Sequence, residues 1–153
     1  MSWLSSVKLL EKVKRNADEV TKKAFHGIYP IDDLPQSVPH LPIFIIVNTH
    51  THNLPGEHWL TIFIDENKRG EVFDSLALPM SNLLIRWLNT FTRKWKRNNK
   101  AYQHPLSSSC GAFALYFTLK RLRAKDFEHV TSSFNATPRV NERKVLAFYK
   151  QLK

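Results

Sequence analysis

"HWLTIFIDENKRGEVFDSL", residues 58–76, holds two apolar runs around a short polar link. Residues 58–65 alternate in part and predict a strand, "ENKRG" predicts a tight turn, and 71–76 predict the returning strand. A link this short that contains Gly70 predicts a hairpin. The hairpin carries chemistry at its open end. His58 begins one strand and Asp74 lies 16 positions later, near the end of the other. Antiparallel pairing brings such residues to one sheet edge.

Upstream, "IFIIVNT" (43–49) is a β-branched apolar run and predicts a buried strand, followed by the loop "HTHNLPGE". "YPIDDLPQSVPHLP" has four prolines and cannot be regular helix. Trp3, Leu4, Val7, Leu10, Val13, Ala17 and Val20 recur at helical spacing, predicting an amphipathic helix over the first two dozen residues. Downstream, Leu83, Leu84, Trp87, Leu88, Phe91 and Trp95 predict a helix that ends in "RKWKRNNK". A second helix is expected from Cys110 to about Ala124. A third follows Thr137 as N-cap and Pro138 as first helical residue. The expected class is α+β: one domain over residues 1–153, with a small, mostly antiparallel central sheet packed by helices.

The 153 residues suit one domain with one core, and 42% hydrophobic content excludes wholesale disorder. Cys110 is the only cysteine, so no internal disulfide framework and no multi-cysteine zinc site can form, and a reducing, intracellular setting is expected. The start is interrupted by Lys8, Glu11 and Lys12 and is not expected to be a secretory signal. No apolar run is long enough for a membrane span. A net charge of +10 favours polyanions, which makes sequence-independent DNA contact an expectation.

Cys110 lies in "YQHPLSSSCGAF" (102–113), where a helix start would favour the thiolate and Gly111 would admit a substrate backbone. The same residues also suit a small buried hydrophobe. A reactive thiolate needs an imidazole to take and return a proton, and His58 is the candidate among seven histidines. Asp74 could orient it, or simply cap a turn. The Cys110 N–H and the Gln103 side chain, seven residues upstream, could form an oxyanion hole. Trp59 could cover such a site or fill the core. A zinc site on His50, His52 and His58 lacks further ligands in the sequence, and no metal is expected.

The order of these elements resembles the adenovirus-type cysteine endopeptidases, the adenains, within the larger group that includes SUMO and ubiquitin-like-protein proteases. "GEHWLTIFID" resembles the adenain segment around the catalytic histidine. "QHPLSSSCG" resembles Gln-Gly-Pro-Asn-Ser-Ala-Ala-Cys-Gly, with the same Gln-to-Cys spacing. "FHGIYP" and "IIVNT" also fit the adenain pattern. SUMO proteases place the glutamine one residue nearer and usually carry Asp where this chain has Ser109, whereas "FDSL" is closer to that second group. The resemblance runs from about Phe25 to Leu122.

The resemblance implies a papain-like cysteine protease fold. It also implies Cys110 as nucleophile, His58 as base and acid, Asp74 as orienter, and Gln103 with the Cys110 N–H as oxyanion hole. It further implies a monomer that needs no cofactor for chemistry, cleaves capsid or core precursor proteins, and works in a host nucleus and virion. Some adenains are activated by a viral peptide and by DNA. With one cysteine, only a non-covalent peptide is open here, while Arg93, Lys94, Lys96, Arg97 and Lys100, and Lys120, Arg121, Arg123 and Lys125, could meet DNA. The rival expectations are a modifier protease and a basic DNA-binding protein with an incidental cysteine.

Overall fold

A computed structural model describes residues 4–49 and 58–153. Its centre is the expected hairpin: β3 (Trp59–Ile64) and β4 (Arg69–Phe73) pair antiparallel, with Thr61 opposite Phe73. The turn is built differently from expectation. Lys68 takes the left-handed conformation (φ 61°), and the Asp65 carboxylate accepts from the N–H groups of Asn67 and Arg69. Gly70 lies inside β4, where a Cβ would come within 2.9 Å of Thr92 Cγ2 and 3.0 Å of Trp95 Cβ. Its role is close approach rather than turning.

β2 (Ile43–Asn48) pairs antiparallel with β3. β1 (Phe25–Pro30) runs parallel to β2, and β5 (Lys94–Arg97) runs parallel to β4. The five-stranded order is β1-β2-β3-β4-β5. The α+β expectation of a sheet packed by helices therefore holds, but the antiparallel part is confined to β2-β3-β4. Parallel neighbours need a crossover; α3 (Asn82–Phe91) supplies the one between β4 and β5.

Two expected helices end sooner than their apolar spacing suggests. The first divides into α1 (Ser6–Asn16) and α2 (Glu19–Ala24), because Asp18 starts a new helix by accepting from Thr21 N–H at 2.8 Å. Val7 and Val20 face solvent, while Leu9 and Val13 are buried; Trp3 lies outside the described residues. The helix through Leu88 stops at Phe91, and Trp95 belongs to β5. There Lys94 and Lys96 point out while Trp95 packs inward, a two-residue alternation hidden inside a basic run.

α4 (Cys110–Lys120) is buried from Cys110 to Leu119, whereas α1 and α3 are amphipathic. It packs between β3 on one side and α1 and α6 (Pro138–Gln151) on the other. Phe44, Phe63 and Phe73 of the sheet meet Phe113 and Phe117 of α4, and Thr61 Oγ1 reaches the Ala114 carbonyl at 3.2 Å. The opposite sheet face carries Ile43, Ile45, Ile62 and Val72 against Leu84, Trp87 and Leu88 of α3. With both faces covered, the central strands read as continuous apolar runs. Among the described residues, no helix is long and apolar enough to cross a membrane.

Candidate active site

His58 sits immediately before β3 and Asp74 immediately after β4, so the hairpin delivers both to one edge. His58 Nε2 lies 2.7 Å from Asp74 Oδ1, and the two residues are 5% and 3% exposed. The Asp74 carboxylate also accepts from the N–H groups of Leu76 (2.9 Å) and Leu78 (3.1 Å). Its backbone N–H donates to Asn98 Oδ1 at 3.0 Å, and Asn98 Nδ2 donates to the Asp74 carbonyl at 2.7 Å. Asp74 is thus a turn cap and the histidine's partner together. Sequence reasoning missed Asn98, which was hidden in the basic run read as a helix tail.

Cys110 is the first residue of α4, completely buried and unbridged. Its side chain raises the His58 pKa through hydrogen bonding and charge, although Nδ1 has no partner that meets full hydrogen-bond geometry. With Nε2 taken by Asp74, Nδ1 is the ring nitrogen left to face the thiol. Burial alone would push the His58 pKa down; the Asp74 bond and the nearby negative charge overcome this and bring it up to about 9. The ring therefore favours the imidazolium at neutral pH, with Nε2 held by Asp74. Trp59 takes the core role: it packs in the same cluster as Cys110 and donates to the Leu4 carbonyl at 3.2 Å.

Gln103 is 1% exposed on the loop that leads into α4. Ser75 Oγ donates to its Oε1 at 2.6 Å, and its Nε2 donates to the Ser107 carbonyl at 3.0 Å. The Ser107 carbonyl can only accept, so it fixes which way the amide faces, and the NH2 group keeps a second hydrogen for another acceptor. The Ser75 carbonyl also accepts from Tyr102 and Gln103 N–H groups at 2.8 and 3.1 Å. Ser75, the residue after Asp74, thereby ties the end of the hairpin to the loop before Cys110. Its place beside Asp74 in "FDSL" was the one available sequence signal.

The basic groups are less free than their sequence clustering suggests. Arg121 is buried against Glu71, with Nε–Oε1 at 2.6 Å and Nη2–Oε2 at 2.8 Å. Arg123 faces Asp18, Lys120 lies over the Tyr116 and Phe148 rings, and Lys96 pairs with both Glu128 oxygens. Arg97 Nη1 donates to the Leu78 carbonyl at 2.7 Å. Arg93, Lys94, Lys100 and Lys125 remain exposed. Among the described residues, no three His, Cys, Asp or Glu side chains form a potential metal cluster; His50 and His52 lie outside them.

A thiol before an imidazole whose far nitrogen is held by a carboxylate can pass one proton back and forth, which is the working arrangement of cysteine peptidases. Cys110 at the start of α4, with His58 and Asp74 at the open end of the hairpin, suits that class. Residues 36–152 match the model of the Ulp1 protease family, C-terminal catalytic domain, and the chain belongs to that family.

A candidate thiol protease of Acanthamoeba polyphaga mimivirus is 24% identical over 121 residues, covering 71% of this chain and 39% of that protein. The crystal structure of an ASFV protease superposes with a TM-score of 0.62 at 17% identity, over 94% of this chain and 65% of that one. Its selenomethionine form gives 0.52 at 21% identity, over 71% and 44%. The chain spans less than two thirds of the length of each of these relatives.

Proposed function

We propose that the chain is a cysteine endopeptidase of adenain-like specificity that cleaves viral precursor proteins through a Cys110–His58–Asp74 mechanism. The observation that carries the reading is His58 itself: Nε2 is committed to Asp74 at 2.7 Å while Cys110 acts on the same ring. The Cys110 thiolate attacks the scissile carbonyl carbon. The oxygen takes the negative charge and is held by the Cys110 N–H and the spare Gln103 N–H. The C–N bond breaks as the His58 imidazolium gives its proton to the leaving amine. The neutral ring then takes a proton from water, which attacks the thioester and frees Cys110.

The mimivirus and ASFV relatives support a viral source for the substrates, and the Gln-to-Cys spacing supports adenain-like cleavage beside small residues such as glycine. On this reading the enzyme acts in the infected cell's nucleus and in the virion. A non-covalent peptide could activate it, and DNA could meet the exposed Arg93, Lys94 and Lys100 without sequence preference.

The test offers glycine-containing precursor peptides beside tagged ubiquitin and tagged SUMO, with and without DNA. Cleavage of the peptides, abolished by Cys110→Ala, is the expected result. Cleavage of a modifier alone would overturn the substrate class. DNA binding with no thiol chemistry would overturn the enzyme.

A further inference from the structure

The C-terminal helix lies outside the residues that carry the chemistry, yet it grips both ends of the loop that presents them. Asn141 is 1% exposed and uses its whole amide. Nδ2 donates to the Tyr102 carbonyl at 3.1 Å and to the Asn135 carbonyl at 2.7 Å, while Oδ1 accepts from Asn135 N–H at 2.6 Å. Tyr102 is the residue before Gln103. The next residue of α6, Glu142, accepts from Ser109 Oγ at 2.9 Å, and Ser109 is the residue before Cys110.

Ser109 is the second observation. It occupies the N-cap of α4, where a serine oxygen ordinarily accepts from the helix's first free N–H groups. Here it makes no side-chain cap bond. Its hydroxyl points instead to Glu142 and lies 2.7 Å from Ser107 Oγ, while Ser107 Oγ accepts from Ser109 N–H at 3.2 Å. Ser107 also offers its carbonyl to Gln103 Nε2. A continuous chain of bonds therefore runs from Glu142 through Ser109 and Ser107 to the Gln103 amide. Drawing the N-cap hydroxyl away leaves α4 without the side-chain cap that Ser109 would supply beside Cys110.

We infer that Glu142, acting through Ser109 and Ser107, is a positioning residue for the oxyanion hole, with Asn141 fixing the loop's other end. The inference rests on the cysteine-peptidase reading. Loss of Glu142 frees the Ser109 hydroxyl to cap α4 and lets the Ser107 carbonyl move, so the Gln103 donor loses its aim. The nucleophile itself is untouched.

Two thiol reactions separate these effects. Acylation by p-nitrophenyl acetate, read as the nitrophenolate burst, forms an oxyanion; alkylation by iodoacetamide does not. In Glu142→Ala the acylation rate should fall about tenfold, a fraction of what losing a whole oxyanion donor costs. Alkylation should stay within about threefold of the parent. Glu142→Gln keeps an acceptor oxygen for Ser109 and should restore acylation. Ser109→Ala combined with Glu142→Ala should lose no more than the worse single change, because the two act in one chain.

Equal loss of acylation and alkylation, no rescue by glutamine, or additive losses would overturn the positioning role. So would unchanged acylation in Glu142→Ala. An unreactive Cys110 in the parent would instead overturn the peptidase reading, and this inference with it. Should the alanine variant fail to fold, the glutamine variant and Ser109→Ala carry the same comparison.

Discussion

Replacing Asp74 by asparagine removes a charge while keeping an oxygen for the imidazole. In the parent, His58 rises from 6.5 to about 9 although burial opposes the charged form. That rise corresponds to about 3 kcal/mol in favour of the imidazolium. The Asp74 and Cys110 attractions must together exceed this figure, because they also offset burial. In Asp74→Asn the burial remains and the larger named attraction goes. The His58 pKa should then fall by at least about one unit, with a neutral ring appearing near pH 7. The acylation rate at neutral pH should drop by about a hundredfold or more, the usual span for a disabled acid–base group.

The assay is acylation by a peptide p-nitroanilide from pH 5 to 10, whose amine leaving group needs the imidazolium proton. The parent should lose activity as pH rises through about 9, where the imidazolium loses its proton. In Asp74→Asn that falling limb should move to lower pH. A folded variant whose limb stays near pH 9 would refute the assignment of Asp74 as the group that holds the charge. Stability gives the same sign. A pKa raised above its unfolded value adds stability fully below about pH 6.5, lost as pH rises through about 9. The deficit in the melting temperature of Asp74→Asn should thus be largest in acid and shrink above about pH 9.

Gln103→Ala removes a proposed oxyanion donor, so acylation should fall about 10²- to 10³-fold while iodoacetamide alkylation changes little. Ser75→Ala removes one of the two bonds that hold the amide and should give a smaller loss of the same kind; equal effects on both reactions would argue against a role in aiming the amide. Glu71→Ala strands the Arg121 guanidinium, whose side chain is 10% exposed, at about 3–5 kcal/mol. Thermal denaturation should shift down by roughly 10 °C, from about 2–4 °C per kcal/mol in a chain of this size. Glu71→Met with Arg121→Leu should recover much of that, and a single variant melting with the parent would show the pair to be idle.

What could be read ahead of the structure follows physical lines. The hairpin was legible because two short apolar runs flank a polar link too short for anything but a turn. His58 and Asp74 were legible because antiparallel pairing fixes which residues share an edge. β5 was not, since Lys94, Lys96 and Arg97 mask its alternation and Trp95 continues the spacing of the helix before it. β1 escaped because "FHGIYP" has too short a run to separate from the proline-rich segment that follows. The break between α1 and α2 depends on Asp18 capping locally, which apolar spacing through Ala17 and Val20 cannot reveal.

Within the site, Cys110 and Gln103 carried a spacing signal. Asn98, Asn141 and Glu142 did not. Each acts on a loop far away in sequence, so only folding makes the partnership visible. Ser75 lay in plain sight, but its purpose depends on where Gln103 ends up.

The central claim is that His58 makes Cys110 a nucleophile. Iodoacetamide alkylation of Cys110 across pH, in the parent and in His58→Ala, tests it most directly. The account predicts a parent thiolate that persists well below the free-thiol value of about 8.5, and an ordinary thiol profile once the imidazole is removed. Identical, ordinary profiles in both proteins would contradict it.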